Sequence, residues 1–300
     1  MSRLGLNRSV GRVERLAVVT HQVNVAAVQL SSGSDREANL EKARQLVEDA
    51  ASQGASYVQL PEYFNFLGPL RRYAEMAEPI PGPTTEEMAA LATRLGVTLH
   101  LGSLLETSPV PGKSYNTSVV IDRTGSIVAT YRKAHLFDVD VPGAIQHRES
   151  DVIAAGEELV IANLDSFNLG LSVCFDVRFP ELYRALAVNG AEVIAIPAAF
   201  NASTGRDHWE VLVRSRAIEN HAFVVAAAQA GTTSEGIATY GHSMIVDPWG
   251  QVLACASSGG PEVVVASLDM DEVVRRRGQI AVIDLRRDEL YDSKVRQRGE

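Results

Sequence analysis

Cys174 is the residue in this sequence best placed to do chemistry. It follows the apolar segment Leu169–Val173 and precedes Phe175–Glu181, a segment that favours the start of a helix. A cysteine at such a turn projects from the edge of a sheet, where backbone N–H groups can bind a developing oxyanion. Because a free thiol has a pKa of about 8.5, it is mostly protonated at neutral pH, and catalysis needs a base or a positive charge beside it.

Two further charged residues follow predicted strands. Glu62 comes just after the strand Tyr57–Leu60, and Lys133 follows the strand Ser126–Tyr131. The carboxyl ends of strands are where the active sites of open α/β sheets collect. A carboxylate can take the thiol proton and later activate water, while an ammonium can support the thiolate and the oxyanion. With Cys174, these two residues make a complete acyl-transfer site.

Composition excludes several other kinds of protein. The 300 residues are 46% apolar and 22% charged, a globular balance, and the net charge of −9 argues against a nucleic-acid partner because no basic excess is present. No segment approaches the roughly twenty apolar residues of a membrane span. Only two cysteines occur, Cys174 and Cys255, which favours a reducing, cytoplasmic setting with both thiols free. Neither zinc-ribbon nor dinucleotide spacing is found, so we predict no metal and no cofactor.

The order of predicted elements indicates an α/β protein in which two sheets pack face to face with helices outside. Residues 1–22 are predicted to be a flexible tail, and residues 138–158 to be a long irregular excursion beside a site. A capping box at 34–37 is expected to begin the first helix. The other expected helices cover 84–95, 180–189, 206–221 and 270–278. Strands are expected at 23–30, 57–60, 97–104, 114–121, 126–131, 169–173, 193–196, 222–228, 241–247, 251–255 and 262–268. No internal repeat is visible.

Three separated segments resemble, in order, the signature segments of the nitrilase superfamily. They are Leu60-Pro61-Glu62, the run Tyr131–Leu136 and the run Cys174–Glu181. The resemblance extends from about residue 23 to residue 291. Within it, residues 201–220 and 240–250 are similar to the Nit branch, which contains ω-amidases and deaminated-glutathione amidases.

This resemblance implies a fold and a set of roles. The fold is a four-layer α-β-β-α sandwich of two mixed sheets, here one domain over residues 23–300, which forms homodimers or larger homo-oligomers without metal or cofactor. Glu62 is the implied general base, Lys133 the residue that stabilises the oxyanion and Cys174 the nucleophile. Glu149 matches a second glutamate that bonds to the lysine in this superfamily and would keep it charged and oriented.

The implied substrate is a small carboxamide that carries a carboxylate. Arg178 is the candidate anchor for that carboxylate, since related carbamoyl-amino-acid hydrolases carry an arginine there, and Phe175, Phe200 and Asn201 are expected to shape the pocket. The cysteine is followed by Phe-Asp-Val-Arg, as in the amidase branch. An N-carbamoyl hydrolase, a nitrilase and a catalytically silent binding protein are the alternatives; a glutamine-dependent synthetase subunit has no ATP-binding motif here to support it.

Overall fold

The computed structural model describes residues 21–141, 145–257 and 259–291. Residues 1–20 of the predicted tail lie outside this range, and residue 22 is the first residue of a strand. The strands are β1 Gln22–Gln29, β2 Tyr57–Gln59, β3 Thr98–Thr107, β4 Ser114–Ile121, β5 Ile127–Arg132, β6 Asp138–Val141, β7 Ile145–Arg148, β8 Ile161–Asn163, β9 Asn168–Leu171, β10 Val193–Ala195, β11 Phe223–Ala226, β12 Ala230–Thr232, β13 Ala238–Tyr240, β14 Met244–Val246, β15 Val252–Cys255 and β16 Glu262–Asp269. The α-helices are α1 Arg36–Ser52, α2 Tyr73–Met76, α3 Pro83–Leu95, α4 Pro180–Val188, α5 Ala202–Asn220, α6 Asp271–Gln279 and α7 Asp288–Tyr291.

Two six-stranded mixed sheets form the centre of the fold. The first has the order β16-β1-β2-β3-β4-β5 and the second the order β15-β14-β11-β10-β9-β8. In the first sheet the parallel strands are β1, β2 and β3, and in the second they are β9, β10 and β11. The remaining neighbours in both sheets are antiparallel.

The alternation of side chains along β1 shows how the layers arise. Val25 and Ala27 join a core that also contains Leu169 and Val193 of the second sheet, so this core lies between the sheets. Ala26 and Val28 point to the opposite face, where residues of α1 and α3 cover them. On the far side, α4 and α5 bury residues such as Leu186, Trp209 and Val213 against the second sheet. The predicted four-layer α-β-β-α sandwich is confirmed.

Three local expectations needed correction. The first helix is capped by Asp35, whose side chain accepts from the N–H of Ala38, rather than by Ser34. The predicted excursion at 138–158 contains the antiparallel pair β6–β7 and a 3-10 turn at Glu149–Asp151. The fifth helix begins at Ala202, four residues before the predicted start, because Asn201 caps it through its side chain. Short pairings and caps of this kind carry weak periodicity, which is why sequence patterns missed them.

None of the helices within the described residues is long and apolar enough to cross a membrane. The described helix α5 is the longest, with 19 residues, and it is amphipathic: Trp209 and Val213 are buried, whereas Glu210 and Arg214 are exposed. This pattern is typical of a helix that packs on a sheet.

Candidate active site

The four predicted catalytic residues meet in one cavity at the ends of strands from both sheets. Glu62 lies just after β2, Lys133 directly after β5 and Cys174 after β9, while Glu149 begins the 3-10 turn that follows β7. All four line a cavity of about 290 Å³. Each is buried, and none of the four exposes more than 8% of its surface. The predicted residues Phe175, Arg178, Phe200 and Asn201 line the same cavity.

Lys133 is held between two carboxylates. Its Nζ donates to Glu62 Oε1 at 2.9 Å and to Glu149 at 3.1 Å (Oε1) and 2.8 Å (Oε2). Burial lowers the pKa of Lys133, but the charges of Glu149 and Glu62 outweigh burial and hold this pKa well above its ordinary value. The lysine is therefore an ammonium at neutral pH.

Glu149 accepts hydrogen bonds from several directions. Its Oε2 accepts from the backbone N–H of Phe137 at 2.6 Å, and its Oε1 accepts from the hydroxyl of Tyr63 at 2.8 Å and from Asn116 Nδ2 at 3.3 Å. Burial raises the pKa of Glu149, but Lys133, the N–H of Phe137 and the hydroxyl of Tyr63 lower it by more, so the pKa lies below its ordinary value. Glu149 is thus an ionised carboxylate beside the lysine at neutral pH.

The two oxygens of Glu62 have different surroundings. Oε1 accepts from Lys133 and, at 2.9 Å, from Asn116 Nδ2. Oε2 accepts from the backbone N–H of Ala199 at 2.7 Å, and both Glu62 and this N–H also interact with the thiol of Cys174. Oε1 is occupied by two donors, so Oε2 is the oxygen better able to receive a proton.

Cys174 stands on a strained turn. Its φ of 47° lies in the left-handed region, which residues other than glycine rarely adopt, and its N–H donates to the carbonyl of Pro197 at 2.8 Å. Burial raises the pKa of the Cys174 thiol well above its usual range, the nearby charge of Glu62 raises it further and Lys133 opposes this. At rest the sulfur therefore keeps its proton, with a proton acceptor beside it.

The outer wall of the cavity combines aromatic rings with one cation. The guanidinium of Arg178 lies 5.1 Å from the ring of Phe200 and 5.9 Å from that of Phe175, and its Nη1 is 3.3 Å from His208 Nδ1. Burial lowers the pKa of Arg178, which Cys174 counteracts. Within the described ranges no carboxylate lies within ion-pair distance of Arg178. Asn201, by contrast, uses its Oδ1 to cap α5.

Several site residues were missing from the sequence prediction: Tyr63, Asn116, and the N–H groups of Phe137 and Ala199. Asn116 lies on β4 and is fully buried, although its sequence context looks like an ordinary strand. Backbone N–H groups carry no sequence signal. Tyr63 could be suspected only from its position next to Glu62.

The described residues contain no group of three or more His, Cys, Asp or Glu side chains that could hold a metal ion.

Comparison with known proteins identifies the family. The family profile named carbon-nitrogen hydrolase matches residues 24–277. The chain belongs to the carbon-nitrogen hydrolase family. It is 43% identical over 258 residues to the deaminated glutathione amidase of Synechocystis sp., which covers 85% of this chain and 94% of the relative. It is 38% identical over 268 residues to omega-amidase NIT2 of Homo sapiens, covering 89% and 96% of the two chains.

Among solved structures, this carbon-nitrogen hydrolase is similar to the C. elegans NitFhit protein. The TM-score is 0.85 at 37% sequence identity, and the match covers 91% of this chain and 66% of that chain. The chain thus spans about two thirds of the length of NitFhit.

Asp176 ties the lysine segment of this hydrolase to its cysteine segment. The carboxylate is fully buried and accepts from the hydroxyl of Tyr131 at 2.8 Å and from the N–H of Val173 at 2.8 Å. It also accepts from the N–H of His135 at 3.0 Å and lies 2.8 Å from His135 Nδ1. These hydrogen bonds join residues 131–135, around Lys133, to residues 173–176, around Cys174.

We predict that Asp176→Asn lowers the free energy of unfolding by about 2–4 kcal/mol, because the new amide NH₂ faces groups that are themselves donors. Urea denaturation measures the loss. Asp122→Asn is the matched control, since Asp122 also accepts from several groups but lies in the exposed turn at 122–126; its cost is expected to stay below about 1 kcal/mol. Equal losses in the two variants would contradict the role given to Asp176.

Proposed function

We propose that this protein is an amidase, which hydrolyses R–CO–NH₂ to R–COOH and ammonia through a thioester on Cys174. The observation that carries the proposal is the meeting of a neutral thiol, a carboxylate that can accept its proton and a fixed ammonium in one buried cavity. The relatives' names support the same reaction, since they are a deaminated glutathione amidase and an omega-amidase. The acting unit is the single domain of residues 23–300.

In the first half of the reaction, Glu62 Oε2 takes the proton from Cys174 as the sulfur attacks the amide carbon. The carbonyl oxygen becomes an oxyanion, which the ammonium of Lys133 stabilises. The N–H groups of Cys174 and Asp176 already donate to Pro197 and Val173. The N–H of Phe175, early in the 3-10 turn Cys174–Arg178, can assist, because the first N–H groups of a helix have no partner within it. Glu62 then gives its proton to the nitrogen, the C–N bond breaks, and ammonia leaves behind a thioester.

In the second half, Glu62 activates water. It takes a proton from the water as the oxygen attacks the thioester carbon, and Lys133 again stabilises the oxyanion. The C–S bond then breaks, the sulfur recovers its proton from Glu62, and the carboxylic acid leaves. Glu149 takes no proton in either half: it holds Lys133 charged and in place.

The substrate class follows from the outer wall of the cavity. Arg178 is half-buried and has no carboxylate partner among the described residues, so it suits an anionic group on the substrate. The rings of Phe175 and Phe200 lie close to its guanidinium and line the cavity, which suits an apolar linker on the substrate. We therefore propose a short carboxamide with a carboxylate at its other end, with Asn201 at the edge of the pocket.

Association into a homodimer or larger homo-oligomer is part of the proposal. Val211 and Ile218, seven residues apart on α5, expose 65% and 46% of their surfaces. Trp249 and Leu253 are exposed beside them, on the turn and strand that contact α5 through the bond from Arg214 Nε to the carbonyl of Gly250. A patch of this kind suits a second copy of the chain.

The free thiols of both cysteines support a cytoplasmic location.

Substitution of the two cysteines tests the reaction. We expect Cys174→Ala to abolish ammonia release from carboxylate-bearing ω-amides, because the nucleophile is lost. Cys255→Ala is the matched control and should keep nearly full activity, since Cys255 lies on the exposed strand β15 away from the cavity. Ammonia is measured with purified protein, and nitriles and N-carbamoyl amino acids serve as comparison substrates. Similar losses in both folded variants would remove the assignment.

Replacement of the two glutamates by glutamine should affect thiol alkylation and amide turnover differently. Glu62→Gln cannot accept the thiol proton, so alkylation of Cys174 by iodoacetamide and amide turnover should both fall by about 10²–10⁴-fold. Glu149→Gln keeps the thiol's acceptor, so alkylation should slow only moderately while turnover falls strongly. Labelling is followed by mass spectrometry beside ammonia release. Equal labelling of wild type and Glu62→Gln would show that Glu62 is not the base.

Light scattering tests the oligomer. At micromolar concentration we expect a mass of at least twice the chain mass of 32.4 kDa. Ile218→Asp should reduce the mass, because it buries a charge at the proposed contact. Val128→Asp is the control, since Val128 is 43% exposed on β5, an edge strand of the first sheet, whereas α5 packs on the second sheet. A monomeric wild type would contradict the proposal.

A further inference from the structure

Tyr63 is a buried residue in the cavity that the mechanism above does not use. It exposes 5% of its surface, lines the cavity and follows Glu62 directly in sequence. Its hydroxyl donates to Glu149 Oε1 at 2.8 Å. One peptide unit thus connects the proposed base to a donor for the second glutamate.

The carboxylate of Glu149 is saturated with donors, and Tyr63 supplies one of them. Five hydrogen bonds reach it: two from Lys133 and one each from Tyr63, Asn116 and the N–H of Phe137. A carboxylate offers about four lone-pair sites, so this set leaves Glu149 no free direction in which to turn. Loss of the Tyr63 hydroxyl would open one side of Oε1.

The backbone at Tyr63 is held in an unfavourable conformation. Its φ is 55°, in the left-handed region that bulky residues avoid. Its N–H donates to Ser103 Oγ at 3.0 Å, and its ring packs 5.3 Å from that of Tyr73. Strained residues of this kind persist where the surroundings over-determine them, often at functional sites. Here the turn brings the side chains of Glu62 and Tyr63 into the same cavity.

From this geometry we propose that Tyr63 is a positioning residue, which locks the carboxylate of Glu149 so that Lys133 stays shared between Glu149 and Glu62. The inference rests on the proposed amidase function. If Glu149 turned or took up a proton, the ammonium would pair with Glu62 alone. Lys133 would then move away from the oxyanion position and compete for the oxygens of the base.

The expected pH effect has a definite sign. Burial raises the pKa of Glu149, and Lys133, Phe137 and Tyr63 together bring it below its ordinary value. Removal of the Tyr63 hydroxyl takes away one of the lowering contributions, so the pKa of Glu149 rises. The carboxylate then protonates at a higher pH, and the acid side of the activity profile moves to higher pH. The size of one charge-assisted hydrogen bond corresponds to about one pH unit.

Other titratable groups surround Glu149 and have to be separated from it. Lys133, Tyr63, Tyr73 and His147 interact with it electrostatically, and Glu62 shares the ammonium of Lys133 with it. Burial lowers the pKa of His147, so this group also titrates on the acid side. The profiles are therefore recorded in a His147→Gln background as well, where the shift caused by Tyr63→Phe is expected to persist.

The test compares Tyr63→Phe with Tyr57→Phe. Tyr57 is an equally buried tyrosine whose hydroxyl bonds to Gln59 and His100, away from the cavity, so it reports the general cost of losing such a bond. We expect both variants to lose some thermal stability. Only Tyr63→Phe should lower kcat, by about tenfold with KM changed less than about twofold, and move the acid limb up by about one pH unit. An acid limb that coincides with that of wild type would overturn the proposal.

A double-mutant cycle shows whether Tyr63 acts through Glu149. In a Glu149→Gln background, Tyr63→Phe should have little further effect on kcat, because the charge that it stabilises is already gone. An undiminished effect there would overturn the proposal.

Iodoacetamide labelling of Cys174 is recorded over the same pH range. If wild type releases no ammonia, the proposed function fails, while the labelling profile of Tyr63→Phe still supports or overturns the positioning role.

Discussion

The rest of the site depends on the burial of one ammonium between two carboxylates. Lys133, Glu62 and Glu149 leave a net negative charge in a place from which water is largely excluded. Buried charges are costly unless hydrogen bonds satisfy the remaining oxygens. The amide of Asn116, the hydroxyl of Tyr63 and two backbone N–H groups meet that need. The same donors fix the oxygens in position, so stability and catalytic geometry have one physical origin.

This arrangement exists only where the two sheets meet. Glu62 and Lys133 come from the first sheet, whereas Cys174 and the N–H of Ala199 come from the second. Gly102 allows the close approach: a Cβ there would lie 1.8 Å from the carbonyl oxygen of Leu60 and 2.6 Å from Cβ of Pro197. The packing between the sheets therefore sets the distance between the base and the nucleophile.

The two sheets repeat one plan, although the sequence shows no repeat. Read from β16 and from β8, each has an antiparallel edge, three parallel strands and two further antiparallel strands. The turn after β2 reads Leu60-Pro61-Glu62 and the matching turn after β10 reads Ile196-Pro197-Ala198. One turn carries the carboxylate, and the other leads to the N–H of Ala199 that binds it. The two equivalent turns therefore supply different groups to the same site: a carboxylate from the first sheet and a backbone N–H from the second.

The sequence by itself determined most strands and helices, the packing of two sheets and the placement of Glu62, Lys133 and Cys174 at strand ends, because apolar periodicity and the segments around these three residues are local patterns. Glu149 was reached only through the family resemblance. The β6–β7 pair, the amide of Asn116 and the hydroxyl of Tyr63 were decided by tertiary structure. Their partners lie far away in the chain or on the backbone, and the strength of a hydrogen bond to a buried charge depends on packing, which no local pattern encodes.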